Sequence, residues 1–525
     1  MPASLIHNQH LINMKSISLL VFILSIFYSL VAGASIPRYL ERYLTTRKQL
    51  DTNQARAELG GRLSKEAVIF GPEDPRFHNA TSKWNSMLVP QVKVVVFPGR
   101  ESDVSKIVEY CNDNSINFLA MNRRHGWTQS LGSFNGVQIN MASLASIKTQ
   151  PSGKSAWFDG GAYGGQVMRY LWDRGYVTTH GSCDCVGVMG PGLGGGHGRH
   201  EGLYGMISDN IIQMNVVLAS GKAVRVSKNS YSDLFWAMRG AGHNFGIVTS
   251  FELNIFPRGP DTWHFHNYIW RGDKLEAVFN ALNKFHNNGT TPVDMAINFG
   301  YFQMNTTITD TEPIISWSFA YRGSAKAARE HLKPFNVIGA VYEESGDVPY
   351  PEISVIQQTD ENSFVCQYGY TRITSTAGLQ VYNVTSERQI FDAFTNRVAS
   401  NPALAAGSAV LHEGYSTKAV QAQNPKDSAY PFRDDHHLMF VLISVPSDDS
   451  TLEHAGREWA NEVRGFWNKG QPERAPNTYV NYATGLEPVE EMYGHEAWRL
   501  KRLRDLKAKY DPSNRFRFYN PIIRE

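Results

Sequence analysis

The feature that most constrains this chain is a glycine cluster between residues 190 and 198. Six glycines occupy the nine positions of Gly190-Pro-Gly-Leu-Gly-Gly-Gly-His-Gly198. Glycine tolerates positive φ angles and lets backbone N–H groups approach a phosphate closely. Alone, the cluster is compatible with either a ligand cradle or a flexible loop. It lacks the flanking strand, helix and downstream acid of a Rossmann fingerprint and the Gly-Lys-Ser/Thr of a P-loop.

Further motifs surround this cluster in a fixed order. Asn122-Arg-Arg-His-Gly-Trp127 and Gly181-Ser-Cys-Asp-Cys-Val-Gly187 precede it, and Arg239-Gly-Ala-Gly-His-Asn-Phe-Gly-Ile-Val248 follows it. Tyr479-Val-Asn-Tyr482 and Asn514-Arg-Phe-Arg-Phe518 lie near the C-terminal end. Each motif is weak by itself, whereas the ordered set is specific. It resembles the FAD-binding (PCMH-type) domain of the vanillyl-alcohol oxidase superfamily, and most of all the berberine-bridge-enzyme-like FAD-linked oxidoreductases of plants and fungi.

The resemblance implies an FAD cofactor that is held covalently. The family's histidine link to the flavin 8α-methyl group maps to His125, and an unprotonated imidazole is a nucleophile near neutral pH. The second link, from a cysteine to flavin C6, maps to Cys183. Cys185 is the rival, because two residues further along an extended chain a side chain points the same way. The structural alternatives are a strand-end histidine and two small buried cysteines without a bond to the cofactor.

Arg123 and Arg124 stand where the family usually has two glycines, so close backbone approach to the pyrophosphate is in question. The arginines could instead pair with phosphate oxygens as bidentate donors. The resemblance assigns the other cofactor contacts to loop groups that would hold the pyrophosphate, ribityl chain and adenine. Together with the two arginines, these expected cofactor-binding residues are Gly126, Trp127, Gly187, Gly190, Gly194, Gly195, Gly196, Asn244, Gly246, Ile247 and Val248.

Tyr479 and Asn481 are the expected catalytic residues, on a strand that in the family lies over the isoalloxazine. Tyr479 would act as, or help to position, a general base, which requires a lowered pKa. Alternatively, it is an aromatic ring packed on the flavin. We interpret three further histidines of the glycine-rich region as loop residues, namely His197, His200 and His243. No Cys/His set has the spacing of a zinc site, so no metal is predicted.

The alternation of short apolar runs with helical patterns predicts an α+β fold. A two-subdomain FAD-binding domain (residues 89–258) would follow an N-terminal segment (35–88). An α+β substrate domain with an antiparallel sheet (259–460) would close it, and a C-terminal berberine-bridge-type segment (461–525) would complete the FAD site. Within the first domain, the pattern predicts a helix over residues 102–112 with Ser102 as its N-cap.

The N-terminal region has the pattern of a secretory signal. Lys15 precedes an apolar run over residues 17–31 and the small residues Ala32-Gly-Ala34, which predicts a signal peptide over residues 1–34. An uncleaved anchor and a start at Met14 are the alternatives. Four N-x-Ser/Thr triplets support glycosylation in the secretory pathway: Asn79, Asn288, Asn305 and Asn383. Four cysteines in 525 residues are too few for a disulfide scaffold.

These features together predict a secreted oxidase. It would take a hydride from a small alcohol, sugar or secondary metabolite, and molecular oxygen would then reoxidise the flavin and yield hydrogen peroxide. The alternatives are a dehydrogenase of the same fold with another acceptor and a non-catalytic flavin- or carbohydrate-binding protein. The net charge of +2 makes nucleic acid an unexpected partner, and we expect no stable membrane insertion.

Overall fold

The computed structural model describes residues 50–446 and 449–523. The expected signal peptide and residues 35–49 of the expected N-terminal segment lie outside these described residues. Within the two described ranges, no helix has the length and apolar character needed to cross a membrane.

The first layer is a four-stranded sheet in the order β1-β2-β4-β3, in which β2, β4 and β3 are parallel and β1 is antiparallel. Its core comes from the apolar run of β2, where Val94, Val95 and Val96 are fully buried. The strands are β1 (Val68–Phe70), β2 (Gln91–Phe97), β3 (Asn117–Met121) and β4 (Asn135–Asn140), and the helices are α1 (Thr52–Leu59), α2 (Arg76–Thr81) and α3 (Glu101–Asp113).

The N-cap prediction for α3 was wrong. The helix begins at Glu101, and its N-cap is Arg100 rather than Ser102. The buried Asp103 carboxylate accepts the backbone N–H groups of Gly99 and Arg100 at 3.0 and 3.1 Å. Because Asp103 satisfies these donors from the first turn, the helix starts one residue earlier than expected.

The second layer is a five-stranded antiparallel sheet in the order β5-β6-β10-β8-β9. Strands β8 and β9 form a hairpin, and Gly221 lies in its turn with φ +91°. The strands are β5 (Ile147–Thr149), β6 (Ser155–Asp159), β8 (Ile211–Val217), β9 (Ala223–Ser227) and β10 (Ile247–Asn254), with β7 (Tyr176–Val177) and β11 (Phe256–Pro257) as a separate pair. The helices are α4 (Gly164–Trp172), α5 (Met189–Gly192), α6 (Glu201–Tyr204) and α7 (Ser232–Ala241).

The third layer is a seven-stranded antiparallel sheet in the order β15-β12-β14-β13-β17-β18-β16. Its strands are β12 (Trp263–Trp270), β13 (Met295–Asn305), β14 (Thr309–Tyr321), β15 (Tyr342–Val348), β16 (Thr371–Leu379), β17 (Ala409–Gly414) and β18 (His437–Val445). Its helices are α8 (Leu275–His286), α9 (Ala325–Asn336), α10 (Ile353–Ile356), α11 (Val384–Ser400), α12 (Lys418–Gln421) and α13 (Ser450–Lys469).

The long helices of this layer cover one face of the sheet. Val410, Met439 and Val441 pack in one core with Trp459 and Trp467 of α13. Helix α13 therefore belongs to the sheet as a unit, and the boundary expected at residues 460/461 falls inside it. Since successive strand residues point to opposite faces, the residues between these core positions point away from the helices.

The C-terminal part returns to the first two layers. Helices α14 (Val489–Tyr493) and α15 (Ala497–Tyr510) are followed by a tail that makes specific hydrogen bonds. The amide of Asn520 donates to the Val480 carbonyl at 2.7 Å, and the backbone N–H of Ile522 donates to the Asn244 side chain at 3.0 Å. These bonds hold Phe516, Phe518 and Tyr519 of the tail (residues 511–522) against a cavity.

Candidate functional site

A cavity of about 410 Å³ lies between the loops of the first two layers and the uncovered face of the seven-stranded sheet. Its walls come from the loop after β3, the region from Gly181 to His197, the turn before β10, three strands of the third layer and the C-terminal tail. Residues from most of the sequence motifs therefore line this one cavity.

His125 follows β3, and its ring borders the cavity. The ring centroid lies 6.1 Å from that of Trp84 and 5.5 Å from that of Tyr368. Burial, helped by the nearby charges of Arg123 and other basic groups, lowers the pKa of His125 to about 3. Its Nε2 atom is buried with no hydrogen-bond partner among the described residues. The imidazole is therefore neutral at physiological pH, which is the nucleophilic form.

The two arginines beside His125 make protein contacts. Arg123 donates from Nε to the Cys185 carbonyl at 3.1 Å and lies 3.5 Å from the Glu361 carboxylate. Arg124 donates from Nε to the Ser82 carbonyl at 2.7 Å and has φ +53°. Arg124 thus adopts the left-handed backbone conformation that glycine adopts at little cost. Bidentate pairing of either arginine with phosphate remains a prediction.

The cysteines divide into distinct roles. Cys185 forms a disulfide with Cys366, which lies 181 residues away along the chain. Cys183 is free and lines the cavity, and burial raises the pKa of its thiol to about 12. The disulfide removes Cys185 as the rival for a flavin link and leaves Cys183. Sequence reasoning did not find this disulfide, because nothing local to Cys185 or Cys366 marks them as partners.

The expected glycine contacts fall into two groups. Gly187 and Gly190 line the cavity, and a Cβ atom placed on Gly190 would meet no atom within 4 Å. Gly194, Gly195 and Gly196 are not among the lining residues, and Gly195 and Gly196 have φ of +109° and +86°. Gly190 therefore borders open space that a cofactor could occupy, whereas Gly194, Gly195 and Gly196 shape the backbone of the loop.

The expected cofactor contacts between residues 244 and 248 also fall into two groups. Gly246, just before β10, and Ile247 and Val248, at the start of β10, line the cavity, as do Gly126 and Trp127 of the loop after β3. Asn244 is buried behind them. Its Nδ2 donates to the Tyr493 hydroxyl at 3.0 Å, and its Oδ1 accepts the tail N–H already described. Asn244 thus positions the tail rather than lining the cavity.

Tyr479 and Asn481 line the cavity, but they lie in a turn and not on the expected strand. The Tyr479 hydroxyl accepts hydrogen bonds from the N–H groups of Gly196 and His197 at 3.1 and 3.4 Å and from Asn481 Nδ2 at 2.6 Å. The turn is closed by the Tyr482 N–H, which donates to the Tyr479 carbonyl at 2.8 Å. Burial raises the pKa of Tyr479, which is the opposite of the shift that a general base needs.

A carboxylate that sequence reasoning missed faces the same cavity. Glu413 of β17 accepts a hydrogen bond from the Tyr482 hydroxyl at 2.9 Å and one from the Tyr415 hydroxyl at 3.2 Å. Tyr415 in turn lies 3.3 Å from Ser182 Oγ, next to Cys183. Burial raises the pKa of Glu413. The only local signal is one acid in an apolar strand, Ala-Val-Leu-His-Glu-Gly, and many strands carry one.

His197 is part of this site and not a simple loop histidine. Its Nδ1 lies 2.9 Å from the Glu201 carboxylate, and its Nε2 lies 2.9 Å from the Tyr430 hydroxyl. Burial opposes a charge on the ring, but the Glu201 carboxylate outweighs it and raises the pKa of His197. The ring meets that of Tyr479 edge to face at 4.9 Å. His243 also lines the cavity, and its Nε2 lies 2.8 Å from the Gly190 carbonyl. His200 is buried and is not among the lining residues.

Comparisons with known proteins match this geometry. The family model described as "FAD binding domain" matches residues 92–227, and the one described as "Berberine and berberine like" matches residues 478–523. An FAD-linked oxidoreductase of Penicillium roqueforti is 50% identical over 502 residues, which are 96% of this chain and 98% of that protein.

Two solved structures share the fold. A chitooligosaccharide oxidase superposes with a TM-score of 0.74 at 22% identity, over 90% of this chain and 99% of that one. The glucooligosaccharide oxidase of Acremonium strictum, described with a 6-S-cysteinyl, 8α-N1-histidyl FAD, superposes with a TM-score of 0.72 at 20% identity. That match covers 90% of this chain and 100% of that one.

The residues around the cavity fit FAD. The unpartnered Nε2 atom of His125, the free thiol of Cys183 and the open space beside Gly190 all lie on its loop side. Apolar groups such as Val186, Leu131 and Met141 border the same side. A large planar ring system buried there would meet apolar surface, with two groups able to tether it.

Proposed function

Since the chain belongs to the berberine-bridge-enzyme-like FAD-linked oxidoreductases, we propose that it is an oxidase for a small hydroxyl-bearing substrate. The substrate would lie between the loop side of the cavity and β17. The observation that carries this proposal is the Glu413 carboxylate, held by Tyr482 and Tyr415 on the wall opposite the cofactor-binding loops. When bound, FAD supplies the two-electron acceptor, and molecular oxygen is the proposed final acceptor.

Two residues of the loop side would tether the cofactor. His125 is neutral and buried, and Cys183 is the cavity-lining cysteine outside the disulfide. The nearby disulfide between Cys185 and Cys366 holds the Cys183 segment in place and prevents Cys185 from competing. A covalent link at both residues fits these contacts.

Glu413 is the proposed proton acceptor. It would take the hydroxyl proton of the substrate, either directly or through the Tyr482 hydroxyl that already donates to it at 2.9 Å. Its raised pKa brings it closer to that of a base that works near neutral pH. Tyr479 would instead hold the glycine loop through Gly196 and His197, and Asn481 would hold it through the Pro191 carbonyl at 2.9 Å. Their expected catalytic role becomes a positioning role.

The test compares wild type with Glu413→Gln after acid precipitation shows equal covalent flavin in both proteins. We expect limiting rates of flavin reduction to fall by about 10²–10⁴-fold in the variant. In wild type, the rate should rise with pH through the raised pKa of Glu413, and this dependence should disappear in Glu413→Gln. An unchanged rate and pH profile would remove Glu413 as the base. Oxygen consumption by the wild type separates an oxidase from a dehydrogenase.

We also propose that the protein is secreted and glycosylated. The disulfide between Cys185 and Cys366 supports this proposal, since such bonds form and persist in oxidising compartments. Asn79, Asn288 and Asn383 are exposed, while Asn305 is half-buried. Secretion from a eukaryotic host, followed by an endoglycosidase-dependent loss of mass, is the expected result.

A further inference from the structure

The wall that the seven-stranded sheet presents to the cavity is apolar apart from one carboxylate. Strand register places Phe299 of β13 opposite Glu413, and Leu411 of β17 opposite Phe440 of β18. The lining residues contributed by these three strands are Ile297, Phe299, Leu411, Glu413, Phe440 and Leu442. A ligand lying on this wall therefore meets apolar side chains on both sides of Glu413.

Outside the sheet wall, Gln357 and Thr359 also border the cavity, and both bind Arg199. The Gln357 Oε1 atom accepts from Arg199 at 2.9 and 3.1 Å, and its Nε2 donates to Ser318 at 3.3 Å. Thr359 Oγ1 accepts from Arg199 at 3.0 Å and donates to the Ser354 carbonyl at 3.3 Å. Arg199 is only 2% exposed, and its Nη1 atom has no hydrogen-bond partner among the described residues. On the sheet wall itself, the polar group is Glu413 with the two tyrosine hydroxyls that bind it.

Such a wall suits some alcohols far better than others. A sugar carries a hydroxyl on nearly every carbon, and each one that is buried without a partner weakens binding. An aromatic ring or alkyl chain gains affinity from burial against Phe299, Leu411 and Phe440. A ligand with one hydroxyl needs only one hydrogen-bonding point.

We propose that the substrate is a predominantly apolar molecule, with an aromatic ring or alkyl chain, whose single reactive hydroxyl lies at Glu413. This inference rests on the proposed oxidation and specifies the substrate class of the same site. It separates this chain from the solved relatives named for oligosaccharides, because the sheet wall lacks the polar partners that a polyol requires.

The test uses the flavin-loaded full chain with 4-butylbenzyl alcohol as the apolar probe and cellobiose as the sugar probe. Under anaerobic conditions, we expect 4-butylbenzyl alcohol to reduce the flavin with a half-saturation concentration at least tenfold below that of cellobiose. Leu411→Asn should raise this concentration about tenfold for the apolar probe with little change in the limiting rate. Leu486→Asn, the same substitution at a leucine that is 64% exposed, should leave it unchanged.

Two outcomes would overturn the substrate class: reduction by cellobiose at the lower concentration, or equal saturation by both probes. The comparison in wild type does not depend on the folding of any variant. Binding of 4-butyltoluene, which has no hydroxyl to oxidise, is read from its shift of the flavin absorbance. If dithionite reduces the flavin but neither probe does, the oxidation proposal fails. Binding of 4-butyltoluene in preference to cellobiose would still support the apolar class, and the reverse order would contradict it.

Discussion

Removal of the disulfide between Cys185 and Cys366 should destabilise the protein and loosen the cavity wall. The bond closes a loop of 181 residues, and the chain-entropy relation gives about 5 kcal/mol for a loop of that length. Measured effects usually fall below this limit, so we expect Cys185→Ala/Cys366→Ala to lower the free energy of unfolding by about 2–5 kcal/mol. The bond joins the Cys183 segment to the segment of Thr359 and Val365, both of which line the cavity.

The assay is denaturant unfolding followed by far-UV circular dichroism, with and without reductant. Each single alanine variant should match the double variant, because either one removes the same bond. Reductant should shift wild type toward the double variant and leave the double variant unchanged. Cys111→Ala is the control, since Cys111 is buried in the first layer outside the disulfide and this variant should keep the response to reductant. A double variant that unfolds at the wild-type denaturant concentration would refute the reasoning.

Three other predictions follow from the site. Acid precipitation should leave flavin on the protein in wild type and in each of His125→Ala and Cys183→Ala, and release it only in the double variant; release by one single variant would mean one link. Gly196→Ala should slow flavin loading and lower thermal stability, because the residue has φ +86° and the new Cβ would lie 2.7 Å from Ile207; unchanged melting and loading would contradict this. Burial lowers the pKa of Lys83 to about 7, so between pH 7 and pH 10 the unfolded chain binds the extra proton. The free energy of unfolding should then rise by up to about 1.4 kcal/mol per pH unit, and Lys83→Met should remove that rise in denaturation curves.

Sequence patterns predicted the helices, strands and short motifs whose conformation depends on residues close together in the chain. Strand β18 spans the apolar run His437–Val445, and helix α3 spans Glu101–Asp113, one residue beyond its predicted range of 102–112 at each end. The ordered motifs also placed His125 and Cys183 at one cavity. These elements follow from side-chain periodicity and from short loops whose residues act near one another in the chain.

The misses are contacts between distant segments. Cys366 lies 181 residues from Cys185, and Glu413 meets Tyr482 across 69 residues. The Tyr479 hydroxyl binds the glycine loop, which lies some 280 residues earlier. Secondary-structure propensity and residue spacing in the sequence do not predict such contacts, because the contacts depend on how the three layers pack against one another.

The cavity cannot be completed until the C-terminal tail has been synthesised. The Tyr519 ring lies against Gly126 of the His125 loop, and both line one cavity, yet nearly four hundred residues of synthesis separate them. At ribosomal rates of 5–20 residues per second, the His125 loop waits about 20–80 s for its partner wall. Met121, which packs with Phe518 of the tail in the folded protein, lacks that cover on the nascent chain during the interval. The cavity is complete only after the tail has been made, and a chain truncated before Phe516 would lack the part of the wall that Phe516, Phe518 and Tyr519 supply.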